Sequence, residues 1–382
     1  MAPPTATLTS SPERILSTVE KLKLTGSADL HSISSYPRPA LTPTGALAAL
    51  PNLKAHDLTP VIGREISGIQ LRDILNAPNS EELLRDLAIT VSQRNVVFLR
   101  NQDLTTDELK TLIQRLGLAS GKPKDTGLHI HPVINSERDD GGNDNEISKI
   151  SSELNKKVYQ NVQQKGKRQD AGRLWHSDIT FETAAPDYSV LQIREKPETG
   201  GDTLWASGYE LYDRLSEPYQ KFLETLTATY AQPGFNRAAE RNGFTLYTEP
   251  RGSPLNIGEE LSAVHPVIRT NPVTGWKSVY AVGHHVAKIN DLTDRESSHL
   301  LKEFVKLITR NHDLQVRFHW GANDVAIWDN RSTYHTATYD LEENDVRWGD
   351  RAVGIAEVPY LDPESTGRRE ALGSKVPQEY AL

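Results

Sequence analysis

Trp175-His176-Ser177-Asp178-Ile179-Thr180-Phe181 sets two metal-capable side chains one residue apart. On a β-strand, residues i and i+2 point to the same face, so an extended 175–181 aims His176 and Asp178 at one ion. A third donor, His335, stands far downstream in Tyr334-His335-Thr336-Ala337. Two imidazoles and one carboxylate make a facial triad, which holds three positions of a non-haem Fe(II) and leaves three for substrates and O2. After the triad's first pair comes an apolar stretch, Tyr188-Ser189-Val190-Leu191-Gln192-Ile193. A glycine-rich turn follows, Thr199-Gly200-Gly201-Asp202-Thr203, and then Leu204-Trp205-Ala206-Ser207. Before His335 runs Asp324-Val325-Ala326-Ile327-Trp328-Asp329-Asn330, a strand that ends in turn residues. Arg347 and Arg351 stand four apart in a strand-like run ending at 352–356, so both can share one face. Short strands at turn-separated intervals with peripheral helices predict a mainly β, α+β fold, a double-sheet jelly roll.

A lone His-x-acid pair is weak evidence, because a buried or surface histidine is the ordinary case. Order, spacing and context together carry more. The 175–181, 199–207 and 328–335 blocks with the paired arginines resemble the taurine/2,4-D dioxygenase family of Fe(II)- and 2-oxoglutarate-dependent oxygenases. Within that family the chain looks most like the sulfonate-cleaving taurine dioxygenases and their fungal relatives. The resemblance implies a distorted, cupin-like double-stranded β-helix with iron in the barrel mouth. It implies His176, Asp178 and His335 as both the metal ligands and the catalytic centre. It assigns the distal carboxylate of the cosubstrate 2-oxoglutarate to Arg347, whose planar guanidinium suits a bidentate grip, and to the hydroxyl of Thr203. Arg351 and His131, in His129-Ile130-His131-Pro132-Val133, match the family's contacts to the anionic head of the prime substrate. An unpaired buried arginine is costly, so two cations for two anions make chemical sense; the competing reading pairs Arg351 with Asp350 or Asp345.

The chain also departs from the taurine pattern. Ile134 and Gly172 stand where the family's pocket has a tyrosine and an asparagine, which predicts a larger or more apolar substrate. Phe235 and His284 fall near further pocket positions. The expected reaction consumes O2 and 2-oxoglutarate, gives succinate and CO2, and oxidises a C–H bond of a small anionic substrate. An alkylsulfonate, yielding aldehyde and sulfite, is favoured. An amino acid or a secondary-metabolite carboxylate is the alternative. Two other classes compete: a zinc-type hydrolase, which needs a nearby base and has no use for Arg347 and Thr203, and a non-catalytic jelly-roll binding protein.

Composition narrows the field. The 382 residues carry a formal net charge of −8, which argues against a nucleic-acid partner. No apolar run approaches a membrane span, and the N-terminus lacks a signal-peptide pattern, so the cytoplasm is the expected location. The chain has no cysteine, which removes disulfides and thiolate sites from consideration. Homo-oligomers are expected from the resemblance, without a set number.

Residues 1–57 read as a proline-, serine- and threonine-rich extension with one amphipathic helix over 13–24. Residues 58–360 read as the catalytic domain, 135–172 as a lid or insertion, and 361–382 as an extended polar tail. Strands are predicted over 59–62, 66–69, 95–100, 263–270, 277–281, 314–320, 324–329 and 351–358. Helices are predicted over 80–92, 106–116, 208–215, 217–228 and 294–309. Residues 236–262 look irregular.

Overall fold

The computed structural model describes residues 39–133, 144–152, 171–338, 340–341 and 345–374. The helix expected over 13–24, most of the 135–172 lid and the end of the tail lie outside the described residues.

Strands run in chain order β1 (Lys54–Asp57), β2 (Arg64–Ser67), β3 (Val96–Leu99), β4 (Ser148–Ser151), β5 (Pro186–Glu195), β6 (Thr203–Ser207), β7 (Thr227–Ala231) and β8 (Ser262–Pro266). They continue as β9 (Ile268–Thr270), β10 (Lys277–Val279), β11 (Val286–Ile289), β12 (Gln315–Phe318), β13 (Val325–Asp329), β14 (Thr333–Ala337) and β15 (Trp348–Ile355). The large sheet has the order β1-β2-β3-β13-β5-β15-β4, and a smaller sheet has the order β12-β6-β14. Side-chain alternation explains how the two sheets stack. Val96, Phe98, Leu191, Ile193, Ala326 and Trp328 of the large sheet pack with Trp205, Val316, Phe318 and Trp320 of the small one. The intervening Val97, Leu99, Val190, Val325 and Ile327 face the opposite way. They pack on helices α1 (Leu71–Asn76), α2 (Ser80–Arg94) and α3 (Thr106–Ala119). Strands buried on both faces read as near-continuous apolar runs, which is how they look in the sequence. The two-sheet roll is the double-stranded β-helix expected.

The helices have identifiable starts. Thr105 and Thr293 each form a capping box, with Glu108 and Glu296, at the heads of α3 and of the long helix Asp294–Arg310. Other expectations are corrected. Residues 59–62 are a turn, because the Thr59 hydroxyl accepts from the Val61 and Ile62 amides and donates to Ile62 O. Strand β2 spans Arg64–Ser67 and stops before 68–69. The helix expected over 217–228 ends at Glu224, where the β-branched Thr227–Ala231 run takes over as β7. The stretch expected to be irregular begins inside a helix, Pro233–Asn242, with proline in its first turn and Gly243 in the left-handed conformation at its end. Part of the expected lid is edge strand β4, which pairs with β15. The described part of the tail is docked: Lys277 N donates to Thr366 O, and Arg369 pairs with Glu210. Residues 39–57, read as extension, also pack on this body. Leu47 lies in the core, and Leu41 N donates to Val273 O.

Candidate metal centre

The three metal-capable side chains meet where β14 passes the segment after the 3-10 turn Ala171–Leu174. His176 forms one antiparallel bridge with His335. Its N–H donates to His335 O at 3.1 Å, and the His335 N–H donates back at 2.8 Å. Directly opposed residues keep their side chains close, and the two imidazole centroids are 4.4 Å apart. On its other side His176 bridges Gly283, which has φ +101°. A Cβ there would come 2.3 Å from Trp175 O, so the bridge requires glycine.

Residues 178–181 form a turn, and the extended strand expected over 175–181 is corrected. Ile179 takes φ +52°, a strained region for a β-branched residue. The turn is braced from behind by His265, whose Nε2 lies 3.0 Å from Thr180 O and 3.1 Å from Glu182 O. Asp178 nonetheless reaches both imidazoles: its Oδ1 is 4.0 Å from His176 Nε2 and 3.8 Å from His335 Nε2. One ligand atom from each residue lies within 4.8 Å of the others. A divalent ion with bonds of about 2.1 Å sets neighbouring ligands about 3 Å apart, so the set accepts such an ion after side-chain closure of roughly 1 Å.

Protonation states match that donor set. Burial, reinforced by the neighbouring His335, pushes the His176 imidazole down to about 4. Burial likewise lowers His335. His176 Nδ1 lies 2.8 Å from Leu174 O and therefore donates to it, which leaves the Nε2 lone pair for a metal. Burial opposes the Asp178 carboxylate, but Arg351 and then the two imidazoles outweigh it and hold its pKa below the usual range.

The paired arginines enter the same interior. The register slip near Trp348 is taken up by β5, where Arg194 is the extra residue, so β15 keeps its alternation. Buried Arg347 donates from Nε to Gly201 O at 2.7 Å and from Nη2 to Thr203 Oγ1 at 3.3 Å. Gly201 has φ +67°, and a Cβ on it would lie 2.7 Å from Arg347 Cδ. Trp320 Nε1 also donates to Thr203 Oγ1, at 3.0 Å. A hydroxyl that accepts twice keeps its own hydrogen for a further acceptor. Arg351 Nη1 donates to Asp178 Oδ1 at 2.7 Å. The acid next to it, Asp350, pairs instead with Arg194 at 3.0 Å.

The other expected residues gather near the mouth. His131 Nδ1 accepts from Val133 N at 3.0 Å, so the neutral ring carries its proton on Nε2. The His131 ring lies 4.9 Å from Phe235, on the Pro233–Asn242 helix. Phe235 lies 5.7 Å from Phe181, Phe181 lies 5.2 Å from His285, and His285 lies 5.7 Å from His176. Exposed His284 has its ring 4.7 Å from His176. Ile134 lies outside the described residues.

Residues 54–353 match the model of the family described as taurine catabolism dioxygenase TauD, TfdA family. The chain belongs to the TauD/TfdA family. It is an alpha-ketoglutarate-dependent dioxygenase. It is 52% identical to the alpha-ketoglutarate-dependent dioxygenase btcD of Neocamarosporium betae, over 87% of this chain and 98% of that one. It is 33% identical to an alpha-ketoglutarate-dependent sulfonate dioxygenase of Saccharomyces cerevisiae, over 81% of this chain and 68% of that one. Among solved structures it resembles a taurine dioxygenase from Burkholderia xenovorans, with a TM-score of 0.60, 24% identity and coverage of 82% and 94%. That likeness establishes the fold.

In this TauD/TfdA-family chain several residues around the site escaped the sequence reading. Trp320 and the Leu174 carbonyl orient Thr203 and His176. Ser189 Oγ donates to Asp178 Oδ2 at 2.8 Å, and Asn330 Oδ1 accepts from Asp178 N at 3.3 Å. A buried cluster lies under the His129–His131 loop: Arg251 grips Glu182 with Nε at 2.5 Å and Nη2 at 3.0 Å, and His129 Nε2 lies 3.3 Å from the same carboxylate. The signal available for Ser189 was its polarity beside the inward-facing Leu191 and Ile193 of β5; Asn330 stands in the turn directly after β13, where a polar residue is ordinary. Among the described residues no helix is long and apolar enough to cross a membrane.

Proposed function

We propose that this dioxygenase holds Fe(II) at His176, Asp178 and His335, seats the distal carboxylate of 2-oxoglutarate against Arg347 and Thr203, and oxidises a C–H bond of a small organic anion. The observation that carries the reading is the convergence of the three donors within 4.8 Å, with buried Arg347 and Thr203 in the same interior. A hydrolase reading leaves that second pair without a task.

The bound iron supplies O2 activation coupled to oxidative decarboxylation of the 2-oxo acid to succinate and CO2. The chain's own residues do the rest. His176 and His335 stay neutral and present Nε2, and Asp178 stays ionised. Arg347 and the Thr203 hydroxyl fix the far end of 2-oxoglutarate, which orients its 2-oxo acid end. Arg351 and the Nε2–H of His131 supply donors for the substrate's anionic group. Phe235 and His284 line the mouth.

The anion has two readings. An alkylsulfonate gives an aldehyde and sulfite, and the sulfonate dioxygenase at 33% identity favours it. A carboxylate is favoured by Ile134 and Gly172, which stand where the taurine pattern has polar side chains; the relatives at 52% and 46% identity carry names that specify no substrate. The test is anaerobic reconstitution with Fe(II) and 2-oxoglutarate, followed by visible absorption. A charge-transfer band is expected, shifting with one substrate class and giving coupled succinate once O2 is admitted. Sulfite release identifies the sulfonate. Iron binding without a 2-oxoglutarate-dependent band overturns the proposal.

A further inference from the structure

The two oxygens of Asp178 have different surroundings. Oδ1 faces His176, His335 and Arg351. Oδ2 accepts from Ser189 Oγ at 2.8 Å. Ser189 is fully buried on the inner face of β5, opposite Trp328 of β13 and Val353 of β15. Its hydroxyl has one hydrogen, and the neighbours decide where it goes. Asn330 Nδ2 lies 2.9 Å from Ser189 Oγ and can only donate. The Asn330 amide cannot be flipped, because its Oδ1 accepts from Trp328 Nε1 at 3.1 Å and from Asp178 N at 3.3 Å. Its Nδ2 also donates to Asp187 O at 3.2 Å. Every donor in the series Trp328, Asn330, Ser189, Asp178 therefore has one direction, and it ends on Oδ2.

We infer that Ser189, oriented by Asn330, is the positioning residue that makes Asp178 a one-oxygen ligand. The Ser189 bond fixes the carboxylate so that Oδ1, which accepts from Arg351 Nη1 at 2.7 Å and keeps a second lone pair, is the oxygen that faces the two imidazoles. A facial triad needs this: a carboxylate that chelated through both oxygens would occupy a fourth position and compete with 2-oxoglutarate or O2. Partners behind a ligand commonly control affinity or activity by about 10–100-fold. The inference rests on the proposed iron site and adds how that site keeps its positions open.

The experiment uses Co(II) in the full chain, without turnover. Wild type, Ser189→Ala and Ser189→Thr are titrated with Co(II) and then with 2-oxoglutarate, following the visible cobalt spectrum. The alanine variant is expected to bind Co(II), to show a cobalt spectrum changed from wild type before 2-oxoglutarate is added, and to bind 2-oxoglutarate at least about tenfold more weakly. The threonine variant, which keeps the hydroxyl, is expected to restore both. Should the alanine variant not fold, Ser189→Cys keeps the volume with only a weak donor and is expected to behave as the alanine variant does. An alanine variant with wild-type spectrum and 2-oxoglutarate affinity overturns the inference, as does a folded variant that binds no cobalt. If wild type itself shows no cobalt spectrum responsive to 2-oxoglutarate, the proposed function fails instead.

Discussion

Arg347 and Arg351 reach the interior at the start of and within a regular strand, whereas His176 and Asp178 reach it from a single bridge and a turn. The arginine side is held mainly by ladder geometry: β15 pairs with β5 over most of its length, alternation turns Arg351 inward, and Arg347, just ahead of the strand, is also fixed by Gly201 O and Thr203. The histidine side has almost no ladder. Its geometry is held by individual hydrogen bonds: to Leu174 O and Asn330 Oδ1, and from Ser189 and His265. Each half is therefore vulnerable in its own way. A change on the arginine side removes a charge from an intact frame, while a change on the histidine side loosens the frame itself.

The largest expected effect is on the histidine side. His176→Ala removes one of three donors, and both metal binding and 2-oxoglutarate-dependent succinate formation should vanish; metal content after reconstitution checks it. Next comes the arginine side. Arg347→Ala should raise the 2-oxoglutarate requirement by about 2–4 kcal/mol, the scale for truncating a buried charge pair. Arg351→Ala should instead weaken the prime substrate while uncoupled 2-oxoglutarate turnover persists. If titrations show the two variants behaving alike, the division between cosubstrate and substrate arginines breaks.

Acid should loosen the histidine side first. Burial, then the Arg269 charge, pushes His265 down to about 3, against roughly 6.5 in an unfolded chain. Between those values the unfolded state binds a proton that the folded state refuses. Stability is thus full above the unfolded value and falls as pH drops, at up to about 1.4 kcal/mol per unit. A Tm series from pH 7 to 5 should show this fall, with a shallower slope in a folded His265→Gln variant; equal slopes would remove His265 from the account.

The smallest effect lies outside both halves. Thr293→Ala deletes the cap of the helix Asp294–Arg310 and should cost about 1 kcal/mol of stability in denaturant melts, with cobalt and 2-oxoglutarate affinities unchanged. A shift in either affinity would mean that the two sides are not mechanically separate from the periphery.

Much of the frame was legible because it follows local rules. Apolar runs bounded by turn residues gave β3, β12, β13 and β15 nearly in place, and helical periodicity gave Ser80–Arg94, Thr106–Ala119 and Asp294–Arg310. The helix Pro233–Asn242 had its proline start and glycine stop in plain view, but only two of its residues, Ala238 and Ala239, are buried, so its periodicity was faint. Edge strand β4 gave a weak signal because Ser148-Lys149-Ile150-Ser151 has one large apolar residue and acquires its identity by pairing with β15.

The amino-acid order supplies the residue types at the site: two histidines and an aspartate with metal-ligand chemistry, two arginines in strand register, and a hydroxyl beside a glycine pair. Residue identity fixes donor chemistry and local periodicity, and both survive without a fold. How those groups are aimed comes from long-range packing. His176 faces His335 across 159 residues of chain because their backbones bridge, and Asp178 turns one oxygen inward because Ser189 of β5, oriented by Asn330 in the turn after β13, holds the other. Aim depends on partners far apart in sequence, and no local pattern records them.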